Sequence, residues 1–261
     1  MSYARTVHIM VFTAFTVAAC SAGQAVPLIT SPAPDMETID EYFARCPTIQ
    51  EVARVNADLK VSFEYDPADG NLVCDSPGLT ALQKRAYQTI YLMRVLKFSQ
   101  PLPWTDRQLY DWFVDAIDGL RFVNGGISRC CEPADIVVIA VTPDSPLLQA
   151  DKPVTDSEGS GLMNVMLLYA HEARHNEGYQ HTCTTRSGDD NTLDEMGAWS
   201  IQYYLALWVA EYADPGFMGS SKDGTDHYRR LMLEHSRITF LTRFCKEKYS
   251  GQADRSAPSA R

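Results

Sequence analysis

Positive charge is scarce in this chain. Its 261 residues carry 23 Lys and Arg against 33 Asp and Glu, a net charge of −10. The clustered cations that a broad phosphate-binding surface needs are therefore missing, and no nucleic-acid partner is expected. Charged residues make up only 21% of the chain and apolar ones 45%. That balance excludes a disordered polyelectrolyte and supplies enough apolar surface for one sizeable core. None of the seven cysteines forms a Cys-x-x-Cys pair, which removes the usual framework of a thiolate zinc site. Internal repeats and blocks of like charge are also absent. Long apolar runs are confined to the start, where Val7 to Ala19, broken by His8 and threonines, is too short to span a bilayer comfortably.

Residues 1–19 have the layout of a secretory signal, with Arg5 ahead of the apolar stretch and small residues before a cleavage point. Val17-Ala18-Ala19-Cys20 resembles the lipobox of bacterial lipoproteins. The resemblance implies that Cys20 is the lipidated first residue of the mature chain. It also implies a lipid-anchored protein of the bacterial cell envelope, facing the periplasm or the exterior. The alternative is an ordinary signal cleavage near Ala19, with Cys20 incidental. Residues 20–35 hold three prolines among small residues and read as a flexible tether, 36–249 as a single domain, and 250–261 as a disordered tail. Export makes disulfides the expected state of Cys46, Cys74, Cys130, Cys131, Cys183 and Cys245. Cys46 with Cys74 is the favoured pair, because the two flank a strand-turn-strand pattern. The adjacent Cys130 and Cys131 are expected to take different partners.

The periodicities predict an α+β domain, mostly helical, with a small sheet. A short helix is expected within 36–46, a strand through Leu59, Val61, Phe63 and Tyr65, a turn at Asp66 to Gly70 and a return strand over Asn71 to Cys74. Leu79, Leu82, Ala86, Ile90, Met93 and Leu96 follow helical spacing. Thr105 to Gln108 matches a capping box, opening a helix through Ile117, and Asp135 to Val141 is the strongest strand. Helices are then expected over Gly161 to Glu177, over Thr192 to Ala213 with a Thr192–Glu195 capping box, and over Thr225 to Lys246.

The third-last of these helices contains His171-Glu172-Ala173-Arg174-His175. Residues four apart lie one turn above each other, so both imidazoles can reach one metal, with Glu172 beside the first. Gly178 and His181 extend the string to HExxHxxGxxH. A glycine there can take the left-handed conformation that ends a helix and returns the chain toward the metal. At ordinary glycine frequency and the histidine content here, both extra matches arise by accident on the order of once in 700 times.

This string resembles the zincin metallopeptidases, in the metzincin form of their zinc motif. The resemblance covers about 25 residues. It implies a zincin-like domain around a central HExxH helix, with Zn2+ held by His171, His175 and His181, an open water position and Glu172 as general base. The Met-turn of metzincins has one nearby candidate, Met196, placed awkwardly in the first turn of a predicted helix. Glu195 is a rival third ligand in the manner of the gluzincins, and Glu195 or Asp194 could instead orient a ligand imidazole. Tyr179, Tyr203, His227, Tyr228 and His235 are candidates for oxyanion stabilisation. Strand 135–141 occupies the place of the zincin edge strand that pairs with substrate, or is a plain buried strand. The implied function is a membrane-anchored zinc metallopeptidase acting on peptide or protein substrates. The alternative is a non-catalytic zinc-binding lipoprotein with a closed four-ligand site.

The anchor has a direct check. Cys20→Ser is expected to move the protein from the membrane to the soluble fraction of fractionated cells, and unchanged membrane association rules out lipidation at this residue.

Overall fold

A computed structural model describes residues 37–67, 70–149, 161–218 and 225–245. The expected signal, Cys20, the tether and the tail lie outside these residues. In chain order the elements are α1 (Ile39–Ala44), α2 (Ile49–Asp58), β1 (Lys60–Phe63), β2 (Leu72–Cys74), β3 (Leu79–Thr80), α3 (Ala81–Val95), α4 (Leu109–Ala116) and β4 (Gly119–Asn124). They continue with β5 (Arg129–Glu132), β6 (Ile136–Val141), α5 (Pro146–Gln149), α6 (Leu162–Asn176), α7 (Ala198–Tyr212) and α8 (Thr225–Thr242). The outcome is an α+β arrangement, about half helical, with a small mixed sheet. Among the described residues no helix is long and apolar enough to cross a membrane.

Three helices open on capping boxes, where a threonine hydroxyl accepts from the backbone three residues on and the side chain there reaches back. Thr38 with Glu41, Thr48 with Glu51 and Thr80 with Gln83 start α1, α2 and α3 in this way. The second box and α2 itself have no counterpart among the predicted elements. The two predicted boxes do not form. Thr105 accepts instead from the Arg107 N–H, and α4 begins beyond it with Gln108 uncapped by its side chain. Thr192 leads only into a single 3-10 turn, Leu193–Glu195, and α7 starts after Gly197.

The sheet runs in the order β1-β4-β6-β5, with β1, β4 and β6 parallel and β5 antiparallel to β6. Parallel neighbours need crossovers, and α3 and α4 supply the one between β1 and β4. β2 therefore does not return along β1 as predicted. It pairs with β3 in a separate two-stranded sheet, because β1 takes β4 as its neighbour. β6, the strand expected between Asp135 and Val141, is internal and paired on both sides, so the edge next to α6 is β5. Neither β4 nor β5 is among the predicted strands. Arg129-Cys130-Cys131-Glu132 has no apolar alternation, and it becomes a strand because β6 offers it a ladder.

The core lies between the sheet and a layer of helices. Phe122, Val137, Ile139 and Val141 from the sheet meet Leu82, Ile90 and Met93 of α3, and Met163, Met166, Leu167 and Tyr169 of α6, all nearly inaccessible. The half of α6 that is apolar nearly all round is thus at the centre. Three disulfides tie the chain. Cys46–Cys74 is the predicted one, Cys183–Cys245 joins the loop after α6 to the end of α8, and Cys130–Cys131 is vicinal. The last corrects the expectation that these neighbours take different partners. Among the described residues, once Cys46 takes Cys74 and the loop after α6 brings Cys183 to Cys245, they have only each other.

Gly119 faces Lys60 across the β1–β4 ladder so closely that a Cβ would sit 2.2 Å from the Lys60 carbonyl oxygen. Gly119→Ala is expected to cost about 2–3 kcal/mol in chemical denaturation, because backbone cannot step aside as a side-chain tip can. An unchanged midpoint contradicts this close approach of the two strands.

Candidate metal centre

α6 carries His171 and His175 to its C-terminal end, where one helical turn brings the rings edge to face and sets their Nε2 atoms 3.2 Å apart. The helix stops at Glu177. Gly178 follows at φ +94°, donating to the His175 carbonyl at 3.0 Å, and the chain doubles back. The return brings the His181 ring to 5.4 Å from that of His171 and 4.6 Å from that of His175, between centroids. One ligand atom from each histidine lies within 4.8 Å of the others, so the three form a group able to hold a metal ion.

The far sides of two rings are fixed by acceptors. His175 Nδ1 donates to the Tyr179 carbonyl at 2.6 Å and His181 Nδ1 to Asp190 Oδ1 at 2.8 Å. A neutral imidazole that donates from Nδ1 keeps its lone pair on Nε2. One proton on His171 Nε2 can serve only the His175 lone pair 3.2 Å away, whereas a cation between the three rings can be met by all of them at once. The donor set therefore fits a metal. Asp190 is almost wholly buried, and its second oxygen accepts from the Trp199 N–H at 3.0 Å. Its backbone is held on both sides, the N–H by the Arg243 carbonyl and the carbonyl by the Cys245 N–H. The Cys183–Cys245 bridge closes this small frame. The Trp199 ring packs on His171 at 4.2 Å and lies nearly parallel to His181 at 5.8 Å, with the Arg243 guanidinium over it at 4.3 Å.

Burial pushes the His171 imidazole well below its ordinary range, and positive charge at His175, His181 and Arg243 pushes the same way. Burial lowers His175 too, against the pull of the Tyr179 carbonyl. Neutral rings are the ligating form. Glu172 is 5% exposed, and burial raises its carboxyl to about 7, while the Cys130 backbone N–H and the charge of His181 hold it down. The metal-side carboxylate thus rests on the edge strand β5.

Glu195, the rival ligand, is not in the group. Its carboxylate accepts from Thr182 Oγ1 at 2.5 Å and Asn191 Nδ2 at 3.3 Å, bracing the loop that carries His181. The orienting carboxylate is Asp190, not Asp194 or Glu195, both of which are exposed. Met196 lies in a left-handed turn ahead of α7, not inside a helix, and its carbonyl accepts from Arg174 Nε. Among the oxyanion candidates, Tyr228 donates to Asp40, Tyr203 packs in a cluster with Leu193 and Phe244, and His227 lies against Tyr228. His235 meets the Gln202 amide on α7, and Tyr179 covers the Arg174 guanidinium. Asp190, Trp199 and Cys130 are the site residues that sequence pattern missed. Asp190 stands in a loop with no period, and Trp199 sits at core spacing on a helix.

No protein-family model matches the chain, and no curated protein or solved structure is significantly similar to it.

With zinc as the probe in a chelator competition, His171→Ala, His175→Ala and His181→Ala are each expected to abolish stoichiometric binding, while Glu195→Ala keeps it. Asp190→Asn is expected to weaken binding about 10- to 100-fold. Gly197→Ala is expected to do the same, because its Cβ would stand 2.6 Å from Asp190 Oδ2. Loss of zinc in Glu195→Ala with retention in His181→Ala reverses the ligand assignment.

Proposed function

We propose that the chain is a zinc-dependent hydrolase, a metallopeptidase of zincin type, anchored through lipid on Cys20 in the bacterial cell envelope. The observation that carries this reading is a buried carboxylate, Glu172, next in sequence to a three-histidine group that no fourth His, Cys, Asp or Glu joins among the described residues. A structural zinc site is closed by four protein ligands, whereas a hydrolytic one keeps a position open. Glu195, one residue that could close a four-ligand site, has its carboxylate hydrogen-bonded to Thr182 and Asn191 instead.

Zinc, when bound, lowers the pKa of a coordinated water to about 7 and polarises a carbonyl. The rest of the work falls to the chain. Asp190 and the Tyr179 carbonyl hold His181 and His175 in the tautomer that turns Nε2 inward. Trp199 packs edge-on against the His171 ring and lies nearly parallel to the His181 ring, bounding the group on one side. Glu172 neighbours the first ligand in sequence and is oriented by the Cys130 N–H, so its carboxylate can take a proton from water and return it to the leaving amine. The unshared side of β5 next to this helix provides backbone donors and acceptors to which an extended peptide can add as a further strand. That favours peptide and protein substrates over compact small molecules.

Glu172→Gln separates this hydrolase from a binder. The amide keeps the size and an acceptor oxygen but cannot take a proton at neutral pH. Zinc content and melting temperature are expected to stay near wild type, while turnover falls about 10²- to 10⁴-fold on a peptide found by screening wild type and Glu172→Gln side by side against a peptide library. If zinc-loaded wild type cleaves no peptide faster than Glu172→Gln does, the hydrolase reading is overturned.

A further inference from the structure

The vicinal pair Cys130–Cys131 is not used by the proposed chemistry, yet it sits against it. We infer that this disulfide is a thiol-exchange site, opened by small-molecule thiols, whose state sets the position of Glu172.

Three observations converge. The first is access. Both sulfurs belong to half-buried residues, whereas in the other bridges half-buried Cys46 is joined to Cys74, 2% exposed, and Cys183 and Cys245 are 7% and 4% exposed. Attack by a thiolate needs an open line to a sulfur, and the vicinal pair is the described bridge in which both residues are partly open.

The second is what holds the backbone there. β5 pairs with β6 at Arg129↔Val138 and at Glu132↔Ile136, and the register breaks between those two points. Cys130 and Cys131 occupy the break. The ladder that would otherwise fix their peptide groups is interrupted, which leaves the covalent ring to do so.

The third is the connection to the site. The Cys130 N–H is the hydrogen-bond donor to Glu172, and Cys130 Sγ lies 3.9 Å from Asn176 Oδ1, one helical turn further along α6. Asn176 is itself pinned, donating to the Ala116 carbonyl at 2.8 Å. Opening the ring therefore frees the N–H that orients Glu172, while the helix end that carries the histidines stays in place.

In the exchange, the thiolate of one reductant molecule attacks a sulfur of the pair, the Cys130–Cys131 bond breaks, and a mixed disulfide forms with the other sulfur leaving as a thiolate that takes a proton. A second reductant thiol displaces the bound one. Two electrons and two protons end on the protein as two thiols, and two reductant thiols become one disulfide.

The exchange itself does not depend on hydrolysis, but its effect on turnover rests on the proposed function, and the test keeps the two apart. Metal-loaded full-length protein is titrated with glutathione, trapped with iodoacetamide and mapped by mass spectrometry. Cys130 and Cys131 are expected to be alkylated at thiol concentrations at least tenfold below those needed for Cys46, Cys74, Cys183 and Cys245. Labelling together with or after the others overturns the site. On a cleaved peptide, the selectively reduced protein is expected to lose at least fivefold in turnover at unchanged metal content and to regain it on reoxidation. The Cys130→Ser/Cys131→Ser double variant is expected to start at the reduced level and to ignore glutathione. Selective labelling with unchanged turnover overturns the coupling to Glu172. If no peptide is cleaved, the hydrolase reading fails, and the coupling is judged on cobalt(II)-substituted protein. Its visible spectrum is expected to shift on selective reduction in wild type and not in the double variant, and a spectrum that stays put overturns it.

Discussion

Between His175 and His181 the chain leaves a buried helix, reverses at Gly178 and returns through Tyr179 and Gln180, which have no regular structure to hold them. The hydrogen bond from His181 Nδ1 to Asp190 is what keeps the third imidazole against the first two. It works only because Asp190 cannot move. The carboxylate is buried, its other oxygen takes the Trp199 N–H in the first turn of α7, and its peptide groups are paired with the chain beyond α8. Two helices, a loop and the Cys183–Cys245 bridge thus converge on one side chain whose task is to aim a ring. Loop residues that carry function on a rigid frame are common, and here the frame can be named atom by atom.

Burial does two jobs at this place. By taking His171 and His175 out of water it favours their neutral form, which is the form that ligates. By taking Glu172 out of water it raises the carboxyl toward neutrality, where accepting a proton near physiological pH comes easily. The larger counterweight on Glu172 is one backbone N–H from an edge strand, ahead of the charge of His181. A strand at the edge of a sheet has backbone groups to spare, so β5 can face α6 with one of them and solvent with others.

The helices were legible from apolar content and spacing for α3, α6 and α8, whose predicted starts lie within two residues of those observed. Capping chemistry misled where the Thr-x-x-Glu or Thr-x-x-Gln spelling stood in a loop with other partners. Thr192 and Glu195 have the letters of a box, but Glu195 is drawn away by Thr182 and Asn191. Conversely Thr48 and Glu51 form a true box ahead of an amphipathic helix. The strands fared worse. β6 is readable because it is β-branched throughout, whereas β5 is a strand only by virtue of the neighbour it pairs with.

His171, Glu172, His175 and the turn at Gly178 follow from local spacing, since helix geometry puts residues four apart on one face and only glycine enters φ +94° without penalty. His181 followed from the same string as one of two candidate ligands. Choosing it over Glu195, finding Asp190 behind it, pairing Cys130 with Cys131 and placing β5 rather than β6 at the edge were decided by tertiary structure alone. Each depends on groups from different elements being brought within hydrogen-bonding or bonding distance. The helical and strand periods that a sequence displays describe how a segment meets itself and its core, and carry no record of which distant partner will be nearest.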